Sequence, residues 1–73
     1  MNDECDAQRR LLAHYEDRAR TCTDKVAEIR RDLADGTWPR SPEYGRQQIS
    51  RLEAMANDAL NSADRLRKTL PVA

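Results

Sequence analysis

The residues of this chain that could take part in chemistry are two cysteines and one histidine: Cys5, Cys22 and His14. Both cysteines lie in one Gly- and Pro-free stretch that is typical of a helix, which would place them about 25 Å apart. A disulfide needs Cα atoms within about 7 Å, so the two thiols cannot pair within one chain. The spacing also lacks the Cys-x-x-Cys or Cys–His pattern of a zinc site. We therefore predict free thiols, as in a reducing compartment, and no metal.

His14 has no group that would make it a ligand or a general base. Its neighbours on a helix would be Arg10, Asp17 and Arg18, which favours a solvated surface histidine. The sequence contains no nucleophile–base pair, no phosphate-binding glycine loop and no carboxylate dyad. We predict a protein that is not an enzyme, with no catalytic residue and no cofactor.

The charges are balanced and evenly spread. Thirteen Lys and Arg residues match thirteen Asp and Glu residues, and acids interleave with bases in both halves of the chain. This pattern argues against a basic stripe that could follow a nucleic-acid backbone. No apolar run approaches the roughly 20 residues of a membrane helix, and no signal segment is recognisable. The sequence thus predicts a cytoplasmic protein without a membrane partner.

The positions of the helix breakers divide the chain into two helices. Gly36, Pro39 and Pro42 fall within seven positions, and the next proline is Pro71. Only two Gly and three Pro occur in 73 residues, which argues against a turn-rich β fold. We predict an all-α antiparallel hairpin forming one domain over 1–73, with helices at about 3–35 and 42–69 and a loop at 36–41.

Local signals agree with these boundaries. Asn2 or Asp3 can cap the first helix, and Gly36 suits the left-handed residue that closes it. Ser41 followed by Pro42 predicts an N-cap and a first helical position for the second helix.

Apolar residues in both helices alternate in steps of three and four, the heptad pattern of helices packed at a shallow angle. The predicted seam is Leu12, Ala19, Cys22, Val26, Ile29, Ile49, Leu52, Ala56, Ala59, Ala63 and Leu66, extended by Cys5, Tyr15, Leu33 and Leu70. Centring the loop near residue 39 gives the facing pairs Leu12–Leu66, Tyr15–Ala63, Ala19–Ala59, Cys22–Ala56, Val26–Leu52 and Ile29–Ile49. The same register places Arg30 near Glu53 and Glu16 near Arg67.

A seam with so many alanines buries little surface, yet apolar residues remain outside it. The candidates for a partner-binding surface are Leu11, Tyr15, Met55, Leu60 and Trp38, with Val72 a further apolar residue outside the seam. Single exposed apolar residues are common and need have no function. The thin seam nevertheless favours completion by a second chain, either another copy in a homodimer or a different protein.

The stretch around the loop resembles a known family. It contains Ala27-Glu28-Ile29-Arg30-Arg31-Asp32-Leu33 before Gly36, then Pro42-Glu43-Tyr44, Gln47-Gln48 and Leu52-Glu53-Ala54. This order is similar to the YscE/PscE/SsaE-like co-chaperones of the type III secretion needle subunit, over roughly residues 25–60. The resemblance implies a helical hairpin that stabilises a helical-repeat chaperone, which keeps the needle subunit soluble before export.

The residues alone leave a second interpretation open. A self-associating helical hairpin of plasmid or phage origin could act as a small regulator by protein or DNA binding. The genes that lie beside this one would separate the two interpretations.

Overall fold

The protein is an antiparallel pair of helices, described here by a computed structural model. Residues 3–70 are described, and of Asp3 and Glu4 only the backbone. Helix α1 runs Asp3–Asp35 and helix α2 runs Pro42–Thr69, and the two pack side by side in a rod of 53 × 15 × 15 Å. The predicted all-α hairpin, its helix boundaries and its loop at 36–41 are confirmed. The predicted roles of Asn2, Pro71 and Val72 lie outside the described residues.

Helix α1 ends where the sequence predicts, at a glycine with left-handed backbone. Gly36 has φ +74°, and the amide of Thr37 donates to the carbonyl oxygen of Asp32 over 2.9 Å. The amide of Trp38 donates to the same oxygen over 3.2 Å. The bond from Thr37 is that of a Schellman motif, which satisfies a carbonyl group that a helix end would leave unpaired.

We expect Gly36→Ala to lower the free energy of unfolding by about 1–2 kcal/mol, because a Cβ disfavours the left-handed conformation. Space is not the obstacle, since a Cβ at this position would meet nothing within 4 Å. Gly36→Asn is the matched control, because asparagine tolerates this conformation better. Urea unfolding followed by circular dichroism would rank the variants; equal stability of Gly36→Ala and wild type would contradict a backbone requirement for glycine.

Helix α2 begins with the predicted cap. The Ser41 hydroxyl accepts a hydrogen bond from the Tyr44 amide at 3.2 Å, and Pro42 occupies the first turn beside Glu43. Proline suits this position because the first helical N–H has no partner within the helix. At the far end, Arg67 and Lys68 lie in the last turn, where positive charge complements the helix dipole.

The seam follows the predicted heptad pattern. Its centre is buried and consists of Ala19, Cys22, Val26, Ile29, Ile49, Ala56, Ala59 and Ala63. Leu12, Leu33, Leu52, Leu66 and Leu70 are half-buried, as are Cys5 and Tyr15. The middle layers are therefore filled by small side chains, which lets the two backbones approach closely.

Two ion pairs join α1 to α2 within the described part of the chain. The distance from Arg30 Nη2 to Glu53 Oε2 is 3.1 Å, and that from Arg67 Nη2 to Glu16 Oε2 is 2.6 Å. Both pairs are those that the register predicts, so the antiparallel alignment of the helices is confirmed.

The loop end of the seam differs from the prediction at Trp38. The indole does not stand apart from the seam: it packs against the cluster of Val26, Ile29 and Ile49, and its Nε1–H donates to the Ser41 carbonyl oxygen at 3.0 Å. The prediction that Trp38 lies outside the seam is wrong, because the loop folds the indole back over the ends of both helices.

Gly45 makes room for this arrangement and is a buried residue that the predicted seam omitted. It lies four residues before Ile49, and so continues the heptad pattern by one layer. A Cβ on Gly45 would lie 3.1 Å from Trp38 Nε1 and 3.2 Å from both Leu33 methyl carbons. The absence of a side chain therefore allows Leu33 and Trp38 to close the end of the hairpin.

Candidate partner-binding surfaces

The two edges of the seam form distinct surfaces on opposite sides of the hairpin. If seam residues take heptad positions a and d, the e positions of the two antiparallel helices line one edge and the g positions line the other. We call the first edge the Leu60 flank: Glu16, Thr23 and Arg30 of α1 with Glu53, Leu60 and Arg67 of α2. We call the second edge the Met55 flank: Leu11, Arg18 and Lys25 of α1 with Gln48, Met55 and Ser62 of α2.

The Leu60 flank is an apolar centre between two ion pairs. Leu60 is 48% exposed and lies one heptad after Glu53 and one before Arg67. It borders a groove of about 480 Å³ whose other lining residues include Thr23, Ala27 and Asn57. The Thr23 hydroxyl donates to the Ala19 carbonyl oxygen at 2.9 Å, so its hydrogen is used within α1. Leu60 is thus a large, exposed apolar side chain whose neighbours Thr23, Ala27 and Asn57 are smaller.

The Met55 flank carries more apolar surface. Leu11 is 43% exposed, and Tyr15 and Met55 are half-buried. Met55 borders a groove of about 570 Å³ together with Leu52 and Cys22. A second depression of about 200 Å³ lies between Tyr15, Arg18 and Met55. The rim of the larger groove is charged on the α1 side, with Arg18, Asp24, Lys25 and Glu28.

The five predicted partner-binding residues therefore do not form one surface. Tyr15 and Met55 line the same depression. Leu11 lies on the same flank one heptad before Arg18, Leu60 lies on the other flank, and Trp38 closes the loop end of the seam. The structure confirms that Leu11 and Leu60 are exposed. Their role in binding stays a prediction.

One exposed aromatic residue near the loop, Tyr44, is absent from the predicted binding residues. Tyr44 is 37% exposed, and its ring stacks on Trp38 with centroids 6.3 Å apart. The Arg40 guanidinium lies 4.9 Å from the Tyr44 centroid, within cation–π distance. The heptad position of Tyr44, away from the seam, was the available signal. Through its contacts with Trp38 and Arg40, the ring packs against two residues of the loop.

The two thiols and the imidazole are spread along α1, at Cys5, His14 and Cys22. Cys22 is buried in the seam and Cys5 is half-buried near the start of α1. The exposed His14 ring lies 5.8 Å from the ring of Tyr15. Among the described residues, no three His, Cys, Asp or Glu side chains are arranged to hold a metal ion. Within the same range, neither helix is long and apolar enough to cross a membrane.

Comparison of the chain with protein-family models, with curated proteins and with solved structures finds no match. The geometry of the two flanks is therefore the basis on which a function is proposed.

Proposed function

We propose that this protein is a non-catalytic binding module that acts as a cytoplasmic co-chaperone. In this role it stabilises a helical-repeat chaperone, and the pair keeps a type III secretion needle subunit soluble before export. The observation that carries the proposal is the Met55 flank, where Leu11, Tyr15 and Met55 remain accessible beside a seam whose buried centre is half alanine. The resemblance of residues 25–60 to the co-chaperone family supplies the identity of the partner.

The energetics of the hairpin support a partner. Four of the eight buried seam residues are alanines, and a pair of helices has only one seam in which to bury apolar surface. Small domains with so little core are commonly completed by association. Fully burying an exposed Leu or Met side chain contributes about 1.5–3 kcal/mol. Leu11 and Met55 are partly buried already, so covering the surface that remains exposed on each would add part of that amount.

The shape of the Met55 flank suits a helix as the bound element. A groove between two helices can accept the apolar face of a third, whose side chains at spacings of three and four residues would enter it. Helical-repeat proteins present such faces at intervals along their length. The mixed charges of Arg18, Asp24, Lys25 and Glu28 along the rim would set the direction of the incoming helix.

The test is to recover the bound protein from the native host with an affinity-tagged full chain and to identify it by mass spectrometry. We expect a helical-repeat protein together with a small helical export subunit. Replacing Met55 with Ser should reduce the recovered repeat protein by about tenfold or more, since the substitution removes a buried side chain from the contact.

Leu60→Ser is the matched control for this experiment, because it removes an exposed apolar side chain from the opposite flank of the same helix. It should leave recovery of the repeat protein unchanged, and circular dichroism should show both variants to be as helical as wild type. Recovery of nucleic acid in place of a protein would contradict the proposal, and so would full recovery with Met55→Ser.

A further inference from the structure

We propose that the Leu60 flank binds a second copy of this chain. The two hairpins would pack across a two-fold axis that lies perpendicular to the helices and passes beside Thr23 and Leu60, giving a four-helix bundle. This contact uses the opposite side of the hairpin from the Met55 flank, so it does not rest on the proposed co-chaperone role. The order of charges along each helix favours this contact.

Each helix carries a self-complementary series along this flank. Along α1 the residues at heptad spacing are Glu16, Thr23 and Arg30, which is acid, neutral, base. Along α2 they are Glu53, Leu60 and Arg67, which is acid, apolar, base. When such a series is laid antiparallel on a copy of itself, each acid faces a base of the second copy. The central residue faces the same residue of the second copy. A two-fold interface needs this kind of self-complementary surface.

The ion pairs within one chain are already arranged for this contact. Glu16 pairs with Arg67 at one end of the flank, and Arg30 pairs with Glu53 at the other, with all four side chains about half exposed. The proposed axis brings the Glu16–Arg67 end of one copy onto the Arg30–Glu53 end of the second. Each of the four charges then has two neighbours of opposite sign, one within its own chain and one across the axis.

The centre of the contact supplies the apolar surface. The axis places Leu60 against Leu60 of the second copy, so the most exposed large apolar side chain of the described residues becomes covered. Thr23, Ala27 and Asn57 line the groove beside it and are smaller than leucine. The hydroxyl hydrogen of Thr23 is bonded within α1, so covering Thr23 leaves no hydroxyl hydrogen without an acceptor.

A charge-exchange experiment tests the orientation. The double variant Glu16→Arg with Arg67→Glu keeps an ion pair within the chain, but it sets like charges against each other across the proposed axis. Sedimentation equilibrium at low ionic strength should show dimers for wild type and about tenfold or more weaker association for the double variant. Adding Arg30→Glu and Glu53→Arg restores opposite charges across the axis, so the quadruple variant should associate as wild type does.

Two results would overturn the proposal. One is a wild-type chain that stays monomeric up to about 1 mM, the range of very weak association. The other is undiminished association of the double variant. A two-fold axis parallel to the helices would give that result, because residue 16 of one copy would then face residue 67 of the second, and opposite charges would still meet after the exchange.

A pair of single substitutions separates this proposal from the co-chaperone role. Leu60→Ser should weaken self-association about tenfold or more and leave chaperone recovery intact, whereas Met55→Ser should do the reverse. Self-association that depends on Met55 and not on Leu60 would place the homodimer interface on the Met55 flank and contradict this proposal. Circular dichroism on both variants establishes that each chain remains folded.

Discussion

Replacement of Ile29 by Ala is expected to lower the free energy of unfolding by about 2–5 kcal/mol, which is the range for truncating a buried isoleucine. Ile29 is 3% exposed and packs with Val26 and Ile49 at the best-filled part of the seam. A two-helix chain has little stability in reserve, so this loss should be enough to populate the unfolded state at room temperature. Circular dichroism with increasing urea would measure it.

The matched control is Leu11→Ala, which truncates an aliphatic side chain on the same helix. Leu11 is 43% exposed and lies outside the seam, so its truncation should change the free energy of unfolding by only about 0.5 kcal/mol or less. Similar urea midpoints for the two variants would contradict the assignment of Ile29 to the core.

Replacement of Ala59 by Leu is expected to destabilise the hairpin by about 1–3 kcal/mol through overpacking. Ala59 is buried and the register sets it opposite Ala19, which is also buried, so a larger side chain would have to displace its neighbours. Ala54→Leu introduces the same side chain on the exposed outer face of α2 and should change little. Thermal unfolding of the two variants would compare them. If both melted as wild type does, the close approach of the helices at this layer would be wrong.

The ends of the two helices, the faces that meet and their register could be predicted from the sequence, because independent signals agree. Gly36 and the Ser41-Pro42 pair fix the inner ends of the helices, and the heptad pattern fixes the faces that meet. The register then follows from the short loop, and the ion pair between Arg30 and Glu53 confirms it. Each of these signals is local or periodic, so it can be recognised in a single amino-acid sequence.

The loop end could not be predicted in the same way. The position of Trp38 depends on the path of an irregular segment, and no periodicity describes that path. Gly45 was missed for another reason: a glycine in the seam adds no apolar side chain, so a pattern of apolar residues stops at Ile49. Its importance comes from the space that it leaves for Leu33 and Trp38, which is visible only once the two helices are brought together.

The two flanks were only partly predictable. The heptad pattern already places Met55 and Leu60 on opposite edges of the seam, so their separation follows from the sequence. Which of them binds which partner does not follow, because exposure alone does not identify what covers a surface. The order of charges around Leu60 favours a second copy of the chain as the partner on that side. The ion pairs that the register predicts, and the structure contains, show how these charges are arranged.

The concentration of large side chains beside the loop has a consequence for how the chain closes. Bringing Ile29 to Ile49 encloses only residues 30–48, whereas bringing Leu12 to Leu66 encloses residues 13–65. Loop closure costs about 0.6 kcal/mol more for each doubling of length, so the strongest contacts lie where closure costs least. Once the contacts near the loop have formed, each further pair of facing seam residues toward the termini requires only a few more residues to be ordered. We therefore expect the hairpin to close first at the turn and then layer by layer toward the termini.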